Sequence, residues 1–206
     1  MGYERKLMNV IEDNNGLILT KNIVESGIPK QYLSNFVKEG LLERVAHGVY
    51  ISPSTFEDEM YILQSINNRA IFSHETSLYL HDLTDRDPIS LSVTVPSGYN
   101  ASKLKEEGLD VYFIKKELHD LGTMKGKTVY GRPINIYNKE RTICDIVRSR
   151  SSIDISILNE GLKRYVEYKE KNIPLLMRYA KQLNIQTILR RYMEVLLWEI
   201  HNKLKT

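Results

Sequence analysis

The sequence predicts an α+β protein: an N-terminal winged helix-turn-helix, then a mixed α/β domain that ends in a helical bundle. Three observations carry this. Between Thr20 and Pro53 two short helical periods, a Gly-Pro break and a hairpin follow one another without spare residues. From Ala70 to Tyr137 short strands alternate with short helices, and from Ser156 to Lys203 the chain reads as helix almost throughout.

Taken in order, Tyr3 to Asp13 carries Leu7, Val10 and Ile11 at helical spacing, and Asn14-Asn15-Gly16 ends it. Gly16 to Leu19 is a short extended link able to pair with the later hairpin. Thr20 is expected to cap a short helix whose Ile23 and Val24 face a core, with Gly27 as its left-handed stop. Pro29 suits the first position of a second helix, where its missing N–H is no loss, and Leu33, Phe36 and Val37 share one face of it before Gly40 closes it. Leu41 to Arg44 and Val49 to Ile51 then read as two strands joined at Ala46-His47-Gly48.

The outer face of the second helix presents Lys30, Gln31, Ser34, Asn35 and Lys38. These donors and cations meet base edges and phosphates when a helix lies in a major groove. Lys21 and Tyr32 flank that face, and Arg44 and His47 stand near the hairpin tip, which completes the candidate DNA-binding set. A polar outer face is ordinary on any helix, so no single residue here identifies a function. The ordered set of two tight helices and a hairpin does point to nucleic acid.

Farther along, Phe56 to about Asn67 is expected to be helical, with Glu57, Asp58 and Glu59 at its positive end. Ala70 to Leu83 reads as a strand and then a helix capped by Ser73. His74 and Glu75 suggest a metal, but the zinc-protease pattern needs a histidine where Leu78 stands, so a structural role is expected. Leu91 to Pro96 and Leu109 to Lys115 are strands, with Ser102 to Gly108 between them as a helix or turn. Lys127 to Tyr130 and Pro133 to Tyr137 suggest a hairpin around Gly131-Arg132. Asn138 caps a helix over Lys139 to Arg148, and helices follow over Ser156 to Lys169, Pro174 to Leu183 and Thr187 to Lys203. The domain division expected from this is 1–54 for DNA binding and 55–206 for the remainder, with 55–84 a helical connector.

Composition narrows the class. No apolar run is long enough to span a bilayer and the N terminus lacks a signal peptide's apolar centre, so a cytoplasmic protein is expected. The single cysteine, Cys144, has no disulfide or zinc partner and suits a buried position. The net charge of +3 is unevenly spread: Lys+Arg against Asp+Glu is 6 to 6 over residues 1–52, 2 to 7 over 53–102, and 21 to 13 over 103–206. The basic second half is therefore expected to add phosphate contacts or to pre-align a duplex, although a solvated helical bundle with tyrosines at its margin accounts for the same pattern.

Gly48-Val49-Tyr50-Ile51-Ser52-Pro53, the stretch Phe72-Ser73-His74-Glu75-Thr76-Ser77-Leu78-Tyr79-Leu80-His81-Asp82-Leu83, and Asn138-Lys139-Glu140-Arg141-Thr142-Ile143-Cys144-Asp145 together resemble the AbiEi antitoxins of the bacterial AbiE abortive-infection toxin–antitoxin systems. The resemblance implies a phage-defence antitoxin that represses its own operon by binding inverted repeats in double-stranded DNA. It also implies a C-terminal domain that opposes a nucleotidyltransferase-like toxin without a stable complex. On this chain the DNA-reading helix falls on Pro29 to Glu39 and the wing on Leu42 to Ile51. No catalytic residue, cofactor or metal is implied. No heptad seam marks a dimer helix, so a monomer that pairs on DNA is expected. A nuclease-like enzyme is the alternative, but the strand Asp110 to Lys116 lacks the acid two positions before either lysine. A pure protein-interaction scaffold is the third reading.

Overall fold

The computed structural model describes residues 2–203, with side chains to residue 198; Met1 and 204–206, the ends of the expected domains, lie outside the described residues. The architecture is mixed α+β, with two sheets and a C-terminal helical region. Contact density divides the chain into two units, Met1–Asn68 with Lys127–Arg132, and Arg69–Gly126 with Pro133–Thr206.

In the first unit, helix α1 (Tyr3–Asp13) turns Leu7 and Ile11 inward. Strand β1 (Leu17–Leu19), α2 (Thr20–Glu25), α3 (Gln31–Lys38), β2 (Glu43–Ala46), β3 (Val49–Ile51) and α4 (Glu59–Ile66) follow. The three strands form an antiparallel sheet of order β1-β3-β2, with Leu17 opposite Ile51 and Leu19 opposite Val49. The Gly16-to-Leu19 link therefore pairs as expected. Gly16 is required there: its φ is +76°, and a Cβ would lie 1.9 Å from Thr55 Oγ1. Leu7, Ile23, Leu33, Phe36 and Leu42 make one core, and the inner face of the sheet makes another.

Several local expectations shift. Thr20 is the first residue of α2 rather than its cap, because its N–H donates to the Gly48 carbonyl (2.8 Å) and so ties the helix to the hairpin. Val24 is 49 % exposed, since so short a helix can bury only Ile23. Val37 is also exposed. Pro29 precedes α3: Tyr32 and Leu33 donate to the carbonyls of Pro29 and Lys30 in a tight i−3 turn before the helix proper begins. The helix after Pro53 starts at Glu59, capped by Asp58, whose carboxylate accepts from Tyr61 N–H (3.1 Å), and Phe56 is left exposed.

A distant segment, Lys127–Arg132, completes this unit. Asp58 is 1 % exposed and accepts from Thr128 Oγ1 (2.6 Å) and Arg132 Nη1 (3.4 Å). Arg132 also donates to the Asn15 carbonyl (3.2 Å) and lies over the Tyr61 and Tyr130 rings. A fragment ending near residue 84 would leave Asp58 buried without its cation.

In the second unit, β4 (Ile71–Phe72), α5 (His74–Leu80), β5 (Ser92–Pro96), α6 (Ser102–Glu106), β6 (Asp110–Ile114), α7 (Lys116–His119), β7 (Thr123–Lys127) and β8 (Pro133–Tyr137) lead to helices α8 (Lys139–Arg148), α9 (Ile155–Glu167), α10 (Ile173–Gln182) and α11 (Gln186–Lys203). The sheet order is β6-β5-β4-β8-β7. β4 runs antiparallel to β5 and parallel to β8, and β5 runs parallel to β6. The hairpin strand expected at Lys127 to Tyr130 lies earlier, at Thr123–Lys127, because Thr128 to Arg132 form the turn. α7 has no counterpart in the sequence reading.

Helix α8 holds this unit together. Arg141 is fully buried: its Nε donates to both carboxylate oxygens of Asp145 (3.1 and 3.0 Å), its Nη1 to the carbonyls of Leu118 and Leu121 (2.9 and 2.8 Å), and its guanidinium lies 4.2 Å from the Tyr137 ring centre. Asn138 caps α8 by accepting from Arg141 N–H (2.9 Å). Gly122 has φ +78°, and a Cβ added there would lie 2.6 Å from Arg141 Cβ.

Two stability measurements follow from these buried charges. Arg132→Ala removes the charged partner of Asp58 in the first unit, and Asp145→Ala strands the Arg141 guanidinium in the second. Each is expected to cost about 3–5 kcal/mol of unfolding free energy, read as a lower urea midpoint. Losses below about 1 kcal/mol would mean that these pairs are dispensable.

Candidate nucleic-acid interface

The sequence-selected residues divide into two groups on the first unit. Gln31, Ser34, Asn35 and Lys38 are exposed on α3, opposite the buried Leu33 and Phe36. The helical period alone produces this, because 31, 34, 35 and 38 recur at spacings of three and four. Tyr32 is half-buried against the core, its ring 5.4 Å from that of Tyr3, so it fixes the start of α3 more than it reaches outward.

The second group is brought together by folding. Lys21 at the start of α2, Lys30 in the turn before α3, Arg44 on β2 and His47 at the β2–β3 turn line one open cavity of about 380 Å³. Arg44 is held in place: its Nε donates to the Ala46 carbonyl (3.4 Å) and its Nη2 to His47 Nδ1 (3.2 Å). A register shift between Arg44 and Ala46 bends the strand at this point. No carboxylate lines the cavity. Three cations and an imidazole around one concavity gather positive potential there, the kind of field that attracts an anion. Thr20, Tyr50 and Ser65 line the same cavity and were not selected from the sequence. For Ser65 no sequence signal exists, since its place depends on α4 packing Tyr61 and Ile62 against the sheet.

In the second unit, His74 is a buried structural residue, as its sequence context suggests. Its Nδ1 is 2.9 Å from Ser73 Oγ, its Nε2 is 3.1 Å from Ser149 Oγ, and its ring stacks on Tyr112 at 3.4 Å. Ser73 does not cap α5 with its side chain; the hydroxyl takes His74 and Thr94 instead. Burial, with Arg148 and Arg141 nearby, holds the His74 imidazole well below its ordinary range. Glu75 is raised by partial burial and by Asp110 and Asp154. The Tyr112 phenol is pushed up to about 12, chiefly by burial. Cys144 is buried and its thiol is raised by that burial. Among the described residues no group of three or more His, Cys, Asp or Glu is placed to hold a metal ion, and no helix is long and apolar enough to cross a membrane.

Part of the first unit matches a known family. Residues 5–53 match the family described as "Transcriptional regulator, AbiEi antitoxin". Over that segment the AbiEi resemblance read from the sequence holds, and it supports a role as an antitoxin or regulator. The stretches 72–83 and 138–145 lie outside the match. Among solved structures, the crystal structure of the RV2827C protein from Mycobacterium tuberculosis is similar in fold: the TM-score is 0.58 at 12 % identity, covering 87 % of this chain and 71 % of that one. No curated protein matches the chain.

The buried His74 generates a pH dependence. Its folded-state pKa is depressed, so its contribution to stability is complete above the ordinary histidine value of about 6.5 and is lost as pH falls below it, by up to about 1.4 kcal/mol per pH unit. Urea unfolding between about pH 6.5 and 5 is expected to show this slope, and His74→Gln to flatten it. An unchanged slope in the variant would assign the acid sensitivity elsewhere.

Proposed function

We propose that the chain is a cytoplasmic antitoxin and transcriptional autorepressor of a bacterial phage-defence operon. Residues 1–54 act as a winged helix-turn-helix on inverted repeats in the operon's own promoter, and residues 55–206 counteract a nucleotidyltransferase-like toxin without forming a stable complex. The protein is a monomer that pairs on the repeat, and it needs no metal or cofactor. The observation that carries the DNA reading is the gathering of Lys21, Lys30, Arg44 and His47 around one open cavity on the unit whose α3 exposes Gln31, Ser34 and Asn35.

In this reading α3 lies in the major groove as the reading helix, and the β2–β3 hairpin is the wing. Gln31, Ser34 and Asn35 stand nearest the base edges, and Lys38 meets a phosphate on its own. Lys21, Lys30, Arg44 and His47 share one backbone phosphate, because they line one cavity. The family match to residues 5–53 supports the regulator half. The antitoxin half rests on the family description alone.

The test is binding of the purified full-length protein to the DNA upstream of its own gene, against random DNA of equal length, across a salt series. Asn35→Ala and Gln31→Ala are each expected to lose about 1–3 kcal/mol of discrimination at one or two base pairs, while Lys38→Ala weakens all sequences alike. Lys30→Ala with Arg44→Ala is expected to lose less than the sum of the single variants, since both remove one phosphate contact. Equal losses on specific and random DNA for every variant, or binding that depends on salt alone, would show that α3 does not read sequence and would favour a scaffold.

A further inference from the structure

The loop between α5 and β5 is anchored at both ends and carries an apolar side chain into water. Thr84 Oγ1 donates to Glu160 (3.1 Å) and Arg86 Nη1 to Ser156 Oγ (2.8 Å), both on α9, while Arg164 of α9 pairs with Asp85. At the other end Ser90 donates to the Asp110 carboxylate. Between these anchors Pro88 is half-buried, Asp87 is exposed and Ile89 is fully exposed. A single exposed isoleucine is ordinary, but one held out on an anchored loop is already ordered for a partner surface and loses little freedom on meeting it. Glu75 and Asp154 line the same concavity as Asp87 and make the setting acidic, while Arg86 beside them is turned onto Glu160.

The same unit offers a groove of the opposite character. Ile188, Val195 and Leu196 of α11 and Leu162 of α9 line an open space of about 540 Å³ whose charged residues, Lys163 and Arg191, are both cations. Asp87, Lys163 and Arg191 each lack an ion-pair partner among the described residues. We infer that the α9–α11 groove seats the Asp87–Ile89 loop of a second copy of this chain, with Ile89 on the aliphatic floor and Asp87 against the two cations. The loop does not reach its own groove: it packs on Glu160 and Arg164, whereas Asn159 and Lys163 line the groove from the neighbouring side of α9. Exposed Trp198 and the two cations also suit a nucleic-acid strand. The second copy is favoured because a strand would leave Ile89 in water and Asp87 unpaired, while the loop satisfies both surfaces at once. One loop in one groove buries less than a stable dimer needs, so the copies separate when dilute.

The test uses the full-length, nuclease-treated protein with a photo-crosslinking residue in place of Ile89, or of exposed Lys181 as control. Position 89 is expected to give a crosslinked dimer whose adduct maps to α9 or α11, and position 181 none. In sedimentation over rising protein concentration, Asp87→Lys alone, and Lys163→Glu with Arg191→Glu, are each expected to weaken self-association by at least about tenfold at an unchanged urea midpoint. Combining the three changes reverses the charge on both surfaces and is expected to restore association, a result that loss of folding does not imitate. A wild-type chain that stays monomeric and gives no crosslink, an adduct elsewhere on the chain, or association indifferent to the charge changes would overturn the proposal. Single-stranded DNA retained by a protein that does not self-associate, and lost in Lys163→Glu with Arg191→Glu, would overturn it in favour of nucleic acid. None of these outcomes depends on whether α3 reads DNA.

Discussion

The second unit depends on one buried guanidinium. A charge as large as that of Arg141 is not stable inside a protein unless its donors are met, and here Asp145 neutralises it while the Leu118 and Leu121 carbonyls take the Nη1 protons. Nη2 finds no acceptor among the described residues. The geometry fixes more than one side chain. It pins the loop after α7 to α8, and it leaves no room for a side chain at position 122, where the Gly122 carbonyl also accepts from Asn138 N–H (2.8 Å). Burial raises the Asp145 carboxyl while Arg141 lowers it, so the two groups are stable there only as a pair.

The neighbours of Arg141 extend the same network. Glu140 accepts from Tyr165 Oη (3.1 Å) on α9 and from Asn172 N–H (3.2 Å) at the start of α10. Thr142 Oγ1 lies 2.8 Å from Ser77 Oγ on α5, and Ser77 donates to the Tyr137 carbonyl (3.1 Å). The Asn138-to-Asp145 stretch that carried part of the family resemblance is thus a junction of α5, α9, α10 and the sheet. Its residue types are demanded by burial, which makes the stretch recognisable in a sequence without making it a binding site.

This explains which parts of the protein were legible in the sequence. The period of α1, α3 and α8, the left-handed glycines after α2 and α3, and the Asn138 cap are local rules, and they place elements to within a residue or two. The polar face of α3 was legible for the same reason. Thr20 was misplaced because its N–H is taken by Gly48, a partner twenty-eight positions away in the numbering. The role of Asp58 was hidden because its cation and its hydroxyl partner arrive from Arg132 and Thr128. The cavity beside the hairpin combines both cases: its cations could be nominated singly, but their meeting around one space, with Ser65 beside them, is a product of packing alone.

Net charge was a poor guide to where cations gather. Residues 1–52 balance, yet the charged residues that line the cavity on that unit are all cations. At physiological salt a charge is felt over about 8 Å, so the local arrangement outweighs the sum. The excess of positive charge after residue 102 is correspondingly less available than it looks. Arg141 is buried against Asp145, Arg164 is paired with Asp85 and Glu160, and Arg148 donates to the Phe113 carbonyl. Lys163 and Arg191 are the charged residues lining the α9–α11 groove, beside the aliphatic Leu162, Ile188, Val195 and Leu196. Both halves of the chain therefore present positive charge at an open concavity, Lys21, Lys30 and Arg44 in the first unit and Lys163 and Arg191 in the second.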